Sequence, residues 1–542
     1  MPAADFFEIA PGTLPKTSVS EVGNKAWNLM RMAAAGLPVP EGFVLPASWS
    51  KRFAANASGA SRGCVMCTAL AEAVAKGISW LEKKTGTTLG SPRRPLLVSV
   101  RSGSAVSMPG MMETVLDIGM NADAVDGLIR STGNPRLPWD CYRRLIQGFA
   151  EVVQGLPPGP FDELVAQAVS AAGGVESDRD LDSRSLRQLT RAMTNCYQEL
   201  AGEPFPTDPQ EQLRRAVAAV FRSWDAPKAA TYRRLNGIDD VIGTAVTIQS
   251  MVFGNTGAES GSGVAFTRNP ATGERGVYLD FRFNGQGEDV VSGRQRAEDH
   301  ERLRRALPAV WKQIESACQT LEELFRDAQD FEFTLQNGTL YLLQSRNAQR
   351  SGWAALRIAV DLVEEGLIER EEACRRLEGI ELDKVSRTRF ETRGKTPMAS
   401  ATAASIGVVT GAIALDSATA ERMAKEGAAV ILVRPETSTS DISGIACASG
   451  ILTGSGGRTS HAAVVARQLG KVCLVGCAGL EVDLVRRVCV IGGRRLDEGA
   501  MLSLDGNEGL VYCGGLDIVS ERPERELKAL AKLRSAAHVA LA

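Results

Sequence analysis

The sequence has no excess of charge of either sign: 62 basic residues stand against 64 acidic ones over 542 positions, a formal net charge of −2. That balance gives no electrostatic reason to expect nucleic acid or an anionic membrane as a partner. There is no apolar run of about 18 residues, as a membrane-spanning helix needs. The opening Met1-Pro-Ala-Ala-Asp-Phe-Phe-Glu8 lacks the basic region and apolar core of a secretory signal. Together these absences predict a soluble, cytoplasmic protein. Eleven cysteines are scattered through the chain without a disulfide framework. Cys64-Val-Met-Cys67 has the spacing of a metal pair, but no second pair or nearby histidine completes a site, and it reads as buried thiols.

What is present points to phosphate. The length sets a prior of about three to four domains, each able to bury a core. Glycine supplies 54 residues, about one in ten against a typical 7%, which suits loops that admit polyphosphates. The chain turns on Gly454-Ser-Gly-Gly-Arg-Thr-Ser-His461-Ala-Ala-Val-Val-Ala-Arg-Gln-Leu-Gly470-Lys-Val-Cys-Leu-Val-Gly476, which reads as a glycine-rich loop, a short helix and a buried strand. Gly454, Gly456 and Gly457 permit close backbone approach. Ser460 or Thr459 can cap the helix and Gly470 can stop it. His461 then falls in the first helical turn, where the positive end of the dipole favours an anion and a neutral imidazole. A neutral imidazole is a competent nucleophile toward phosphorus. The plain alternative is a satisfied cap; against it, histidine occurs only three times, at His300, His461 and His538.

Further blocks carry groups suited to a nucleotide. Val22-Gly-Asn-Lys25 sets a lysine at the mouth of a helix, either a phosphate ligand or an exposed helix charge. A strand, Leu96–Val100, runs into Arg101-Ser-Gly-Ser-Ala-Val-Ser-Met-Pro-Gly-Met-Met-Glu-Thr114. An arginine at a strand end before a small-residue loop offers a bidentate cation and a mobile lid, or is an ordinary connection. Residues 121–240 read as helices with breaks at 155–160 and 202–208. A strand-rich block follows, with Gln249, Met251 and Glu288, and closes in a hairpin around Asn337-Gly338. Alternation puts Asp330 and Glu332 on one face of the first hairpin strand, and Gln344 and Arg346 on one face of the second. Oxygen donors beside an arginine suit Mg2+ bridging nucleotide phosphates, against solvated cross-strand pairing as the alternative.

The eight residues Gly456-Gly-Arg-Thr-Ser-His461-Ala-Ala resemble the phosphohistidine signature of the enzymes that use or make phosphoenolpyruvate. The nucleotide-side blocks resemble the pyruvate, phosphate dikinase family: Ser99–Met112, Phe205-Pro-Thr-Asp-Pro209, Phe221-Arg-Ser-Trp224 and Tyr232-Arg-Arg-Leu235. The resemblance implies an α+β and α/β multidomain chain. Residues 1–350 would form an ATP-grasp domain with a helical insertion at about 121–240. Residues 351–395 would be a hinge-bearing helical linker, 396–515 a swivelling phosphohistidine domain, and 516–542 a C-terminal helix that docks or ends in solvent. It implies that Lys25 and Arg101 hold phosphates, Thr114 lies in the phosphate loop, and Gln249 and the Met251 backbone border the adenine. Glu288 would line the site, Glu332 and Gln344 would bind Mg2+, and Arg346 would stabilise charge. Thr459 would be a regulatory phosphorylation position. There are departures: Asn24, Ala26 and Trp27 replace smaller residues around Lys25, stiffening its loop, and Asp280 stands where a glutamate is usual.

The implied reaction is attack by His461 on ATP with release of AMP, then cleavage by inorganic phosphate to leave phosphohistidine. The final acceptor would be pyruvate. The family's acceptor barrel needs about 250 residues, whereas positions 516–542 leave 27, so a separate acceptor-binding subunit is expected, with homodimerisation left open. A different small-molecule or protein acceptor, and a regulatory nucleotide-binding protein without turnover, are the alternative readings.

Overall fold

The computed structural model describes residues 5–12, 14–57, 68–106, 108, 112–175, 177–235, 238, 243–287, 300–382, 385–437, 441–456 and 461–540. Contacts divide the chain into two compact units, Met1–Thr256 with Tyr341–Ser345, and Gly257–Leu340 with Arg346–Ala542. The 1–350 segment is thus shared between them. Cys64 and Cys67 lie outside the described residues. Among the described residues, no helix is long and apolar enough to cross a membrane.

In the first unit the elements that matter are β1 (Phe7–Ile9), α1 (Val19–Ala34), β2 (Gly42–Leu45), β3 (Val98–Gly103), β4 (Thr114–Ile118), α2 (Arg136–Val152), α3 (Pro209–Ser223), α4 (Pro227–Leu235) and β5 (Ala245–Ser250). Their sheet has the order β1-β2-β5-β3-β4 and is antiparallel throughout. The β-branched residues Val98, Val100, Val246 and Ile248 of the central strands are fully buried. The helical stretch at 121–240 breaks where glycine and proline predict. Gly202 ends one helix in the left-handed region, and Asp208 caps α3 by accepting from the Gln210 N–H, with Pro209 in the first turn. The stretch is not an insertion with its own core: Leu137, Phe149, Leu213 and Phe221 join Phe43, Val98 and Ile248 in one cluster.

Helix α2 carries a buried charge. Asp140, 2% exposed, accepts from Arg143 Nε at 3.0 Å, Arg144 Nε at 3.3 Å and Asn255 Nδ2 at 3.0 Å. The arginines reach it because residues three and four apart share a helix face. Burial pushes the Asp140 carboxyl up, but Arg144, Arg143 and Arg136 outweigh it and hold the group well below the usual carboxylate range.

Next along the chain come β6 (Gly261–Arg268), β7 (Arg275–Phe283), α5 (Pro308–Phe325), β8 (Gln329–Gln336) and β9 (Thr339–Asn347), in a sheet of order β9-β8-β6-β7. The β8–β9 turn has positive φ at Asn337 (50°) and Gly338 (74°), the conformation that an Asn-Gly pair favours. Helices α6 (Gly352–Glu364) and α7 (Arg370–Arg376) follow. Arg268, 1% exposed, bonds Glu322 of α5 through Nε and Nη2, both at 2.8 Å, and Glu365 beyond α6 at 2.8 Å. The helices expected to supply hinges are therefore tied into the β6–β9 layer, and Leu356, Val360 and Leu377 share a core there with Ala328.

Strand β10 (Arg387–Glu391) leads to an eight-stranded sheet whose order is Ala399–Ser400, Leu510–Cys513, Met501–Asp505, Val408–Ala414, Val430–Arg434, β11 (Gly450–Thr453), β12 (Val472–Val475) and Thr402–Ser405. Helix α8 (His461–Gln468) connects the parallel pair β11 and β12. Strand β13 (Asp517–Glu521) pairs with β10, and α9 (Glu524–Ala540) closes the chain. The final helix is not simply a solvated end: Leu530 is 2% exposed and packs in one core with Leu356 and Leu377.

Replacing Asp140 with Asn strands a buried cationic cluster and is expected to lower stability by about 3 kcal/mol at neutral pH. Because the folded carboxyl titrates below its unfolded value of about 3.9, its contribution is complete above that pH and is lost as pH falls through the folded pKa. Urea midpoints of wild type and Asp140→Asn should therefore lie well apart at pH 7 and converge in acid.

Candidate functional site

On β3, Arg101 lies in register with Thr114 of β4 and Thr247 of β5, so the three form a row on one side of the sheet. The strand continues through Gly103, so Arg101 is held within the ladder rather than at a loop mouth. Arg101 is half-buried and Thr114 exposed. Thr247 is a member of the row that sequence reasoning missed. Its place two residues before Gln249 was the available signal, since alternate strand residues share a face.

A strap joins the Lys25 turn to the segment after Arg101. Gly23 interrupts α1 with φ 76° and ψ 159°, and a Cβ there would lie 2.5 Å from the Gly103 carbonyl oxygen. The Asn24 N–H donates to the Ser104 oxygen at 3.0 Å, and Asn24 Nδ2 donates to the Ala105 oxygen. Asn24, read as a stiffening substitution, is thus the residue that bonds the two segments. Lys25, next in sequence, is half-buried.

Gln249 is 1% exposed, and its Nε2 donates to the Pro40 oxygen at 2.9 Å. The Met251 N–H donates to the Leu97 oxygen at 2.9 Å. The Met251 N–H is therefore used inside the first unit, which leaves its carbonyl oxygen as an acceptor, and one of the two amide N–H groups of Gln249 is used there as well. Gln344, on β9, is half-buried and groups with the first unit.

In the second unit Glu332 is half-buried on β8, opposite Val264 of β6, which in turn faces Asp280 of β7. The two carboxylates thus share one side of the sheet. Asp330, 4% exposed, accepts from Arg346 Nε through both oxygens, at 3.0 and 2.8 Å. Burial pushes the Asp330 carboxyl up. Arg346 opposes the rise, Glu332 adds to it, and Arg467 of α8 also opposes it. The structure therefore joins Asp330 and Arg346, which strand alternation had put on hairpin faces, and orients the arginine through its Nε edge.

Helix α8 begins at His461, directly after the loop that leaves the C-terminal end of β11. The start of that loop is pinned: the Gly454 N–H donates to the Arg434 oxygen at 3.1 Å, the Ser455 N–H to the Pro435 oxygen at 2.9 Å, and Thr453 Oγ1 to the Ser455 oxygen at 2.6 Å. Ala462, Ala463 and Ala466 are buried against the sheet, where only small side chains allow a close helix. Gly470, at φ 63°, follows the end of the helix as predicted. Thr459 and Glu288 lie outside the described residues.

A family model described as pyruvate phosphate dikinase, AMP/ATP-binding domain, matches residues 52–312, which include Arg101, Thr114, Gln249 and Met251. One described as PEP-utilising enzyme, mobile domain, matches residues 427–509, which include His461. The chain is similar to pyruvate, phosphate dikinase 2 of Zea mays, 43% identical over 496 residues that cover 91% of this chain and 55% of that protein. It is also similar to pyruvate, phosphate dikinase of Clostridium symbiosum, 42% identical over 500 residues, 92% of this chain and 56% of that protein. The chain spans about half the length of the curated relatives it matches. With this identity sustained over more than nine-tenths of its own length, the chain belongs to the pyruvate, phosphate dikinase family and carries that family's AMP/ATP-binding and mobile domains.

Proposed function

We propose that this chain performs the nucleotide half of a dikinase reaction, in which Mg-ATP phosphorylates His461 with formation of AMP. The observation that carries this reading is a histidine heading a helix in the matched mobile domain, on the same chain as a matched AMP/ATP-binding domain. In this scheme residues 1–350 bind the nucleotide, 351–395 link, 396–515 carry the phosphoryl group, and 516–542 anchor the end of the chain.

His461 attacks the β phosphorus: an N–P bond forms, the bond to the bridging oxygen of the α phosphate breaks, and AMP leaves. Inorganic phosphate then takes the γ phosphoryl group and departs as pyrophosphate, leaving phosphohistidine. Lys25, Arg101 and Thr114 hold the phosphates, and Arg346, oriented by Asp330, offsets charge on the transferred group. The Glu332 carboxylate and Gln344 amide oxygen are hard donors of the kind Mg2+ takes together with nucleotide phosphates. Among the described residues, no group of three or more His, Cys, Asp or Glu forms a metal cage by itself. When bound, the ion neutralises phosphate charge. Glu288 would line the same site, and Thr459 would be a place for regulatory phosphorylation.

The Met251 backbone favours adenine: its N–H is occupied by Leu97, so its carbonyl oxygen suits the exocyclic amine of adenine and opposes the carbonyl of guanine, and Gln249 borders the same base. The acceptor of the phosphoryl group is proposed to be pyruvate, giving phosphoenolpyruvate with a separate barrel-bearing subunit. Another small molecule or protein would serve the same half-reaction.

Incubation with Mg2+ and ATP labelled at the β phosphate is expected to place acid-labile, base-stable label on the wild-type chain and none on His461→Ala. A wild-type chain that binds ATP yet takes no label would refute turnover by the chain alone and favour the regulatory reading. GTP should label the wild type at least about tenfold more slowly than ATP, since the guanine carbonyl would meet the Met251 carbonyl oxygen with no donor between them. Gly23→Ala, forced into a glycine-only conformation against the Gly103 backbone, should cost about 2 kcal/mol of stability and raise the ATP concentration needed for half-maximal labelling; calorimetry and the same assay read both effects.

A further inference from the structure

The first unit contains an apolar cluster apart from its main core. Met108, Trp224 and Ala229 are 7%, 8% and 0% exposed, with Met112 and Tyr232 packed against them. Both methionines belong to the connection between β3 and β4, which joins Arg101 to Thr114. Trp224 ends α3, while Ala229 and Tyr232 lie on α4. These aromatics come from Phe221-Arg-Ser-Trp224 and Tyr232-Arg-Arg-Leu235, two segments that carry family resemblance but have no part in the chemistry described above.

The cluster is built on both sides. The Arg233 guanidinium lies 4.1 Å from the centre of the Trp224 ring, and its Nη1 donates to the Trp224 carbonyl oxygen at 2.5 Å. That contact fixes the indole plane by a cation–π interaction and a hydrogen bond. Methionine is the side chain suited to such a seat, because it is unbranched and polarisable and packs favourably against aromatic rings. At its β3 end the same connection is held by Asn24 and by the close approach of Gly23. The segment between the two phosphate-facing residues is thus gripped from α1 at one place and from α3 and α4 at another.

We propose that Trp224 and Tyr232 are positioning residues. Through Met108 and Met112 they seat the β3–β4 connection and so set how Arg101 and Thr114 present themselves to nucleotide phosphates. This rests on the phosphate-binding reading above. The seat acts on the binding of ATP and not on the reacting histidine, so its loss weakens nucleotide capture more than it slows transfer at saturation.

The test is a titration of label transfer to His461 against ATP concentration, using the full chain. Wild type is compared with Met108→Ala, Trp224→Ala, the double variant and the conservative Trp224→Phe, each checked for folding by circular dichroism. Each truncation is expected to raise the half-saturating ATP concentration about tenfold with the saturating rate changed less than about threefold. The double variant should be no worse than either single one, because a seat can be lost only once, and Trp224→Phe should recover most of the affinity. An unchanged half-saturation in folded Met108→Ala, or truncation effects that multiply, would overturn the seat while leaving the phosphate reading intact. A wild type that takes no label and shows no ATP binding by calorimetry would overturn both.

Discussion

A strand paired along both edges is locked in register, because a slip of one residue would send its buried side chains to the opposite face. Strand β3 is paired in this way, between β4 and β5, with Val98 and Val100 in the core and Arg101 alternating out of it. The backbone position of the arginine therefore follows from the burial of its strand neighbours. The Gly23 strap uses the same ladder as its base, since what Gly23 meets is the backbone of Gly103 at the strand's end. Lys25, Arg101 and Thr114 come from three separate stretches of chain and are referred to one rigid element.

Buried charge does the corresponding work elsewhere. Asp140 gathers three arginines of its own helix and the side chain of Asn255, and Arg268 gathers Glu322, Asp361 and Glu365. Such clusters contribute little net stability compared with apolar replacements of similar shape, yet breaking one is costly, so they act mainly to specify one arrangement. Arg268 specifies that helix α6 lies on the β6–β9 layer. Asp330 applies the same logic to Arg346, with the difference that the arginine is half exposed and so can both accept orientation and face solvent.

The mobile domain relies on small side chains instead. Helix α8 rests on β11 and β12 through alanines, and its N-terminal loop is held by backbone N–H groups donating to Arg434 and Pro435. The backbone of His461, at the head of that helix, is thus set by the packing of the alanines that follow it.

Much of this was legible in the residues themselves. Glycine and proline positions delimited the helices between 121 and 240, the Asn337-Gly338 pair marked its hairpin turn, and the stretch from Gly454 to Gly476 announced loop, helix and strand with His461 at the helix start. These are local matters of backbone conformation and periodicity, and they are written within a few residues of where they act. What the sequence could not show was which distant groups meet: Asn24 with Ala105, Asp330 with Arg346, Met108 with Trp224, Arg268 with Glu365. It also could not show that the helical stretch shares the core of the sheet, or that one amide N–H of Gln249 is taken by the Pro40 oxygen. Those facts depend on chain folding over separations of tens to hundreds of residues, where register and packing, not local preference, decide which side chains become neighbours.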